Sequence, residues 1–355
     1  MHKAFVILFA AIPATIVAHY LQWPPVAIMA LACLGIVPIA RVMGLATEHL
    51  SHKVGPTIGG LLNATFGNAC ELIIAIVALQ AGLLEVVKAS ITGSILGNVL
   101  LVMGASMVVG GLKHEVQSFN KMTALTACTL LTITAFSLMM PAALHHFADH
   151  ASNAQVDQNL ALAISVVLMA LYLLGLLFSL GTHKHLFLPV SAETEEATDL
   201  ATRWSVKKSM IVLALATIAV AVQSEFLVAS VQQAAQTLGM TPVFVGVIVL
   251  AFIGNAAENS TALLMARKNK MDLSINIALG SSTQIAMFVT PLIVMTGIAL
   301  GQPMNLVFSP AEIVSVLAAV IVCWFTIQDG KSNWLEGAAL LALYAIMGAT
   351  FYFIN

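Results

Sequence analysis

Two carboxylates in this chain sit where a charge is costly. Glu71 and Glu258 each close a short segment of the form Gly-Asn-Ala-x-Glu, read as Gly67-Asn68-Ala69-Cys70-Glu71 and Gly254-Asn255-Ala256-Ala257-Glu258. Both fall near the middle of long apolar runs, where an ionised carboxylate costs at least about 2.5–3.5 kcal/mol on insertion scales. A residue so placed needs a proton, a cation or a hydrogen-bonding partner. An Asn three positions before each Glu shares its helical face. The Gly before each Asn leaves room for a neighbouring helix, or for a local break that frees backbone carbonyls. Further along, Ser94 and Asn98 lie four apart with Gly93 and Gly97 beside them, and Ser281, Ser282 and Gln284 form a second polar group. The donor set is carboxylate, amide, hydroxyl and carbonyl oxygen, without histidine or thiol. That is the chemistry of a hard cation, and it suits Ca²⁺ better than Zn²⁺.

The elements that must hold these residues are membrane spans. Of 355 residues, 60% are apolar and 8% charged, against about 45–50% and about 25% in soluble domains, which excludes a soluble enzyme. Apolar runs of the length needed to cross a bilayer number eleven: Ala4 to Leu21, Pro25 to Met43, Thr57 to Ala81, Leu83 to Gly110, Met122 to Leu144, Val156 to Leu180, Ser205 to Gln223, Pro242 to Ala266, Met271 to Ala299, Ala311 to Ile327 and Trp334 to Ile354. With this alternation, thirteen of the 14 Lys and Arg residues share one face and only Lys88 is opposite. The positive-inside rule makes that face cytoplasmic, with the N-terminus inside and the C-terminus outside. Lys3 and the small residues near Ala18 have the outline of a signal peptide, but the run is long for one and is read as a retained span. The charge balance leaves no basic footprint for nucleic acid. Cys33, Cys70, Cys128 and Cys323 stand singly in apolar stretches and read as buried small side chains.

The two Glu segments are copies of one pattern. Residues 67 and 254 are 187 apart, and at that offset Glu85 maps to Asp272 and Gly93-Ser94 to Gly280-Ser281 without a gap. The copies lie five spans apart, and an odd shift reverses direction across the membrane. The expected fold is therefore all-α, with two inverted five-helix repeats related by a pseudo-two-fold axis in the membrane plane, an arrangement common in secondary transporters. Residues 1–24 form an extra N-terminal span, 25–180 the first repeat, 181–204 an acidic cytoplasmic linker and 205–355 the second repeat.

Five stretches carry a family resemblance: GGLLNATFGNACELIIAIVAL from Gly59, VVKASITGSILGNVLLVMG from Val86, SEFLV from Ser224, GNAAENSTALLMARKNKMDLSINIALGSSTQIAMF from Gly254 and DGKSNWLEG from Asp329. In order and across nearly the whole chain, they resemble the Ca²⁺/cation–proton exchanger branch of the cation/Ca²⁺ exchanger superfamily. The resemblance implies that Glu71 and Glu258 alternate between Ca²⁺ and protons. It places Asn68, Asn255, Asn98 and Gln284 in the site and makes the first helix of each repeat, spans 2 and 7, a sliding gate. Two positions depart from the pattern: Ala251 stands where relatives often carry Pro, and Asn259 where they often carry His.

The reading is thus a prokaryotic plasma-membrane antiporter that exports Ca²⁺ against H⁺, needing no cofactor, with Ser94 and Ser281 added to the metal site. Na⁺/Ca²⁺ exchange or monovalent cation (Na⁺ or K⁺)/H⁺ exchange on the same fold stays open. An intramembrane hydrolase lacks HExxH, GxSxG or a mid-membrane histidine pair, and a channel has no use for the inverted repeat. Glu48, Glu225, Glu85 and Glu312 are candidates for vestibules, with Glu48 and Glu225 at the ends of spans 2 and 7. His145, His146, Asp149 and His150 crowd an outer loop and read as interfacial polar residues or a transition-metal cluster. Glu193, Glu195, Glu196 and Asp199 form an acidic patch in the linker that reads as a solvated segment or a weak Ca²⁺ or proton sensor. Association with lipid follows from the spans, and association with further copies of the chain is open.

Overall fold

The computed structural model describes residues 7–54, 56–147, 154–183 and 204–353. Helices are numbered in chain order: α1 Ala11–Tyr20, α2 Pro25–Val54, α3 Pro56–Phe66, α4 Ala69–Gln80, α5 Leu84–Gly111, α6 Lys121–Phe147, α7 Ala154–Thr182, α8 Val206–Thr237, α9 Pro242–Gly254, α10 Ala256–Arg267, α11 Met271–Ala299, α12 Pro310–Thr326 and α13 Trp334–Phe353. Among the described residues, seven single helices are long and apolar enough to cross a bilayer, and the bent pair α9 and α10 makes an eighth. Helix is the economical choice because a bilayer offers no water to satisfy backbone groups.

Two helices outrun the apolar stretches that suggest them. Helix α2 continues past Met43 to Val54 and α8 past Gln223 to Thr237, so Glu48 and Glu225 lie within helices, exposed, and not at their ends. Backbone hydrogen bonding and good helix formers such as Gln and Ala carry a helix beyond the point where hydropathy falls.

Packing forms two large apolar cores and a small third one around Tyr172 and Met287. One large core joins α5, α6, α11 and α12 with parts of α4, α7, α8, α9, α10 and α13. The other joins α2 and α8 with the first turns of α4 and part of α9. Within the second, Gly35 lets Gln223 approach α2, and Thr217 reaches the Met43 sulfur.

The connections are tied down at both ends of the bundle. At one end, β1 (Gln117–Ser118) pairs antiparallel with β2 (Lys331–Ser332). Buried Gln117 donates to Ala266 O and Asn269 Oδ1, each at 2.9 Å, and Asn120 N donates to Asp272 Oδ1 at 2.9 Å. At the other end, buried Lys88 donates to Val307 O at 2.9 Å, holding the extended segment before α12. There a capping box starts α12: Ser309 Oγ accepts from Glu312 N, and Glu312 Oε2 accepts from Ser309 N at 2.9 Å.

Candidate functional site

Two interruptions of the helical backbone build the site. The helix is interrupted at Gly67-Asn68 between α3 and α4, and at Asn255 between α9 and α10, where the two helix axes differ by 63°. Asn68 and Asn255 depart from helical geometry at φ −101°, ψ 19° and φ −83°, ψ 4°. Each break places its Glu in the first turn of the following helix, beside backbone N–H groups that favour negative charge. The sequence allows a close helix approach or a local break at these glycines; the structure breaks the helix at Gly67-Asn68 and at Asn255, and both glycines are closely approached.

The two motifs interlock crosswise. A side chain at Gly254 would stand 3.0 Å from Glu71 Cγ, and one at Gly67 would stand 3.5 Å from Glu258 Oε1. Each carboxylate therefore lies against the glycine of the other motif, close enough that the two charges repel when both are ionised. Oε2 of Glu71 and Oε2 of Glu258 are both buried without a hydrogen-bond partner. Burying such an atom alone is unfavourable, so these two oxygens mark where a proton or cation belongs.

Around them runs a continuous polar network. Asn68 Nδ2 donates to Gln284 Oε1 at 2.6 Å, and Asn68 Oδ1 accepts from Ser281 Oγ at 3.1 Å. Asn98 Nδ2 donates to both Ser281 Oγ (3.0 Å) and Asn255 Oδ1 (3.2 Å). Asn255 Nδ2 donates to Ser94 Oγ at 3.0 Å and to Ala251 O at 2.9 Å. Ser281 also reaches the Glu258 carboxylate. All eight residues named from the sequence for the metal site thus converge. Asn68, Asn98, Asn255, Ser94 and Ser281 are nearly solvent-free, and Gln284 is half-buried.

Helix irregularity accompanies these contacts. Wider π-helical turns run over Gly97–Val102, carrying Asn98, over Ile285–Val289 directly after Gln284, and over Val245–Leu250 just before the second break. Such turns are frequent at functional positions, and nothing in the hydropathy pattern announces them. Gly93 and Gly246 let α5 and α9 touch through backbone: a side chain at Gly93 would collide with the Val247 carbonyl, and one at Gly246 would stand 2.5 Å from Ala89 Cβ.

Other candidates lie apart from this centre. Glu312 is buried, its oxygens used by Thr92 (3.0 Å) and by the Ser309 cap. Glu85 is exposed beside Lys88 at 3.5 Å. His145 Nδ1 is 3.3 Å from Asp157 Oδ2; the His146 side chain, Asp149 and His150 lie outside the described residues, as do Glu193, Glu195, Glu196 and Asp199. Asn259, directly after Glu258, has a buried Oδ1 without a partner. A contact the sequence reading passes over is Arg41 on α2, which reaches Ser260 Oγ at 3.4 Å, two residues beyond Glu258; its signal is an Arg set between Ala40 and Val42 in an apolar run.

Fold and site together define an integral membrane protein that encloses a pair of carboxylates between two broken helices. The sequence matches the sodium/calcium exchanger protein family over residues 24–181 and 208–353, and the chain belongs to that family of membrane transport proteins. It is 46% identical over 363 residues to a Ca²⁺/H⁺ antiporter of Synechocystis sp., covering 99% of this chain and 97% of that protein. It is 44% identical over 357 residues to the Ca²⁺/H⁺ antiporter ChaA of Bacillus subtilis, covering 100% of each. Among solved structures it superposes on native YfkE with a TM-score of 0.83 at 41% identity, covering 99% of this chain and 100% of that one.

Proposed function

We propose that this protein exchanges cytosolic Ca²⁺ for external H⁺ by alternating access, with Glu71 and Glu258 as the shared binding site. The observation that carries the proposal is the crossed pair of carboxylates, each with one buried oxygen lacking a partner. Two negative charges, each with one oxygen buried, can be neutralised by two protons or by one divalent ion, so the occupants compete and binding of one expels the other. Asn68, Asn255, Ser94, Ser281 and Gln284 complete the oxygen-rich surroundings, with the Asn98 amide nitrogen set among them. Two close relatives named as Ca²⁺/H⁺ antiporters support the same ion pair.

In this reading the chain makes eleven spans. α3 with α4 and α9 with α10 count as one each, and α1 and α12 serve although short. Residues 25–180 and 205–355 are inverted repeats flanking the linker 181–204, with residues 1–24 outside them. Helices α2 and α8 form the gate, and their packing mainly on each other supports their moving as a unit. The membrane is the prokaryotic plasma membrane with the N-terminus inside, and the end bearing Lys113, Lys121, Arg267, Lys268, Lys270 and Lys331 faces the cytoplasm.

The test is Ca²⁺ flux in proteoliposomes under an imposed pH gradient with no other exchangeable cation. Gradient-driven Ca²⁺ movement is expected, together with a Ca²⁺ affinity in detergent that falls between about pH 8 and 6 as protons compete. Flux that requires Na⁺ and ignores the pH gradient overturns the proton coupling.

A further inference from the structure

One backbone carbonyl sets which way the amides at the centre of the network face. Ala251 O can only accept, so Asn255 must turn Nδ2 toward it and Oδ1 away. That Oδ1 meets Asn98, and because it too can only accept, Asn98 must present its nitrogen there. The same nitrogen donates to Ser281 Oγ, and Ser281 Oγ lies 3.1 Å from Asn68 Oδ1, to which it donates. Asn68 then turns its Nδ2 to Gln284 Oε1. Both arms of the network start at Asn98 Nδ2, and one arm reaches an oxygen from each broken helix.

Asn98 is also where the repeat fails. At the offset of 187 its counterpart is Ile285, while the counterpart of Gln284 is Gly97. A single nitrogen of the first half therefore serves two oxygens of the second, held on a π-helical turn and 1% exposed.

Resting on the transport function proposed above, we infer that Asn98 is an internal stand-in for the cation. Its amide hydrogens bring partial positive charge between Asn255 Oδ1 and Ser281 Oγ, so these two oxygens are satisfied without an ion, while Oε2 of Glu71 and Oε2 of Glu258 are not. An arriving ion must displace this nitrogen to reach the first two. Asn98 is thus a positioning residue that lowers affinity and eases release, and its contribution is to the ion-free state.

Calorimetric titration of the detergent-purified full chain with CaCl₂ tests this, with a thermal melt confirming that each variant is folded. N98S keeps one hydroxyl hydrogen and cannot span both acceptors, so it should bind Ca²⁺ about three- to tenfold more tightly than the parent, the scale of one net neutral hydrogen bond. Equal or weaker binding by N98S overturns the inference, because an Asn98 that ligated the ion through its oxygen would lose affinity. N98D keeps a donor only while protonated, so proton release per Ca²⁺, measured in buffers of different ionisation enthalpy, should rise by about one. An unchanged proton count in folded N98D also overturns it; where N98D does not fold, N98S decides. A parent protein that binds no Ca²⁺ removes the transport reading and this inference together, whereas a parent that binds normally beside a weakened N98S removes the inference alone.

Discussion

The first and second Glu motifs are near-copies in sequence, yet the structure does not treat their flanks alike. Asn68 makes two side-chain bonds, both to α11, whereas Asn255 makes three: to α5 through Ser94 and Asn98, and to Ala251 O of its own broken helix. Gly93 and Gly280 are equivalent by offset, but Gly93 packs directly on the Val247 carbonyl while a side chain at Gly280 would meet nothing within 4 Å. A duplicated pattern thus yields equivalent carboxylates on non-equivalent supports. Chemistry is shared between the halves, while load on the backbone is concentrated on the crossing of α5 with α9.

The carboxylates are the place to test the shared half of that comparison. Glu71→Gln and Glu258→Gln keep size and remove one charge each, so either should abolish Ca²⁺ flux in proteoliposomes while the protein melts normally. Normal flux in one of them would mean that the pair is not a unit.

The unequal half is sharpest at the glycines. Gly93→Ala should lower stability by about 1–3 kcal/mol, the cost of overpacking against a group that cannot move aside. Gly280→Ala should be neutral or slightly stabilising, because it adds helix propensity in open space. Thermal melts of the two variants in one detergent compare them directly, and equal shifts would dissolve the asymmetry.

A smaller difference is expected at the amides. Asn255→Ala should destabilise the protein more than Asn68→Ala by about 1 kcal/mol, since it gives up one more net hydrogen bond. Smallest are the end clamps. Lys88→Met keeps the buried stem but orphans Val307 O, costing about 0.5–1.5 kcal/mol. Asp272→Asn retains an oxygen for Asn120 N and should fall within about 0.5 kcal/mol of the parent. Melting temperatures in detergent should preserve that order, and a larger loss at Asp272 would reverse the assignment of the stronger clamp.

Composition and spacing alone determine a good deal about this protein. Membrane residence follows from the scarcity of charge, and the pairing of Glu71 with Glu258 follows from a register kept over 187 residues, because both are linear properties of the chain. The Asn partners, Ser94, Ser281 and the expectation of a break beside Gly67 and Gly254 are legible for the same reason: helical periodicity carries side chains to a common face over three or four residues. Packing decides what periodicity cannot reach. The crossed approach of Glu71 to Gly254 and Glu258 to Gly67, the direction of the amides and the collision that forbids a side chain at Gly93 all depend on how helices from distant parts of the chain cross. The same holds for Glu312, whose carboxylate is spent on a cap and on Thr92 and so is withdrawn from any vestibule. Sequence places each donor on its helix; only the tertiary structure brings donors more than 150 residues apart within hydrogen-bonding distance, where geometry selects which atom faces which.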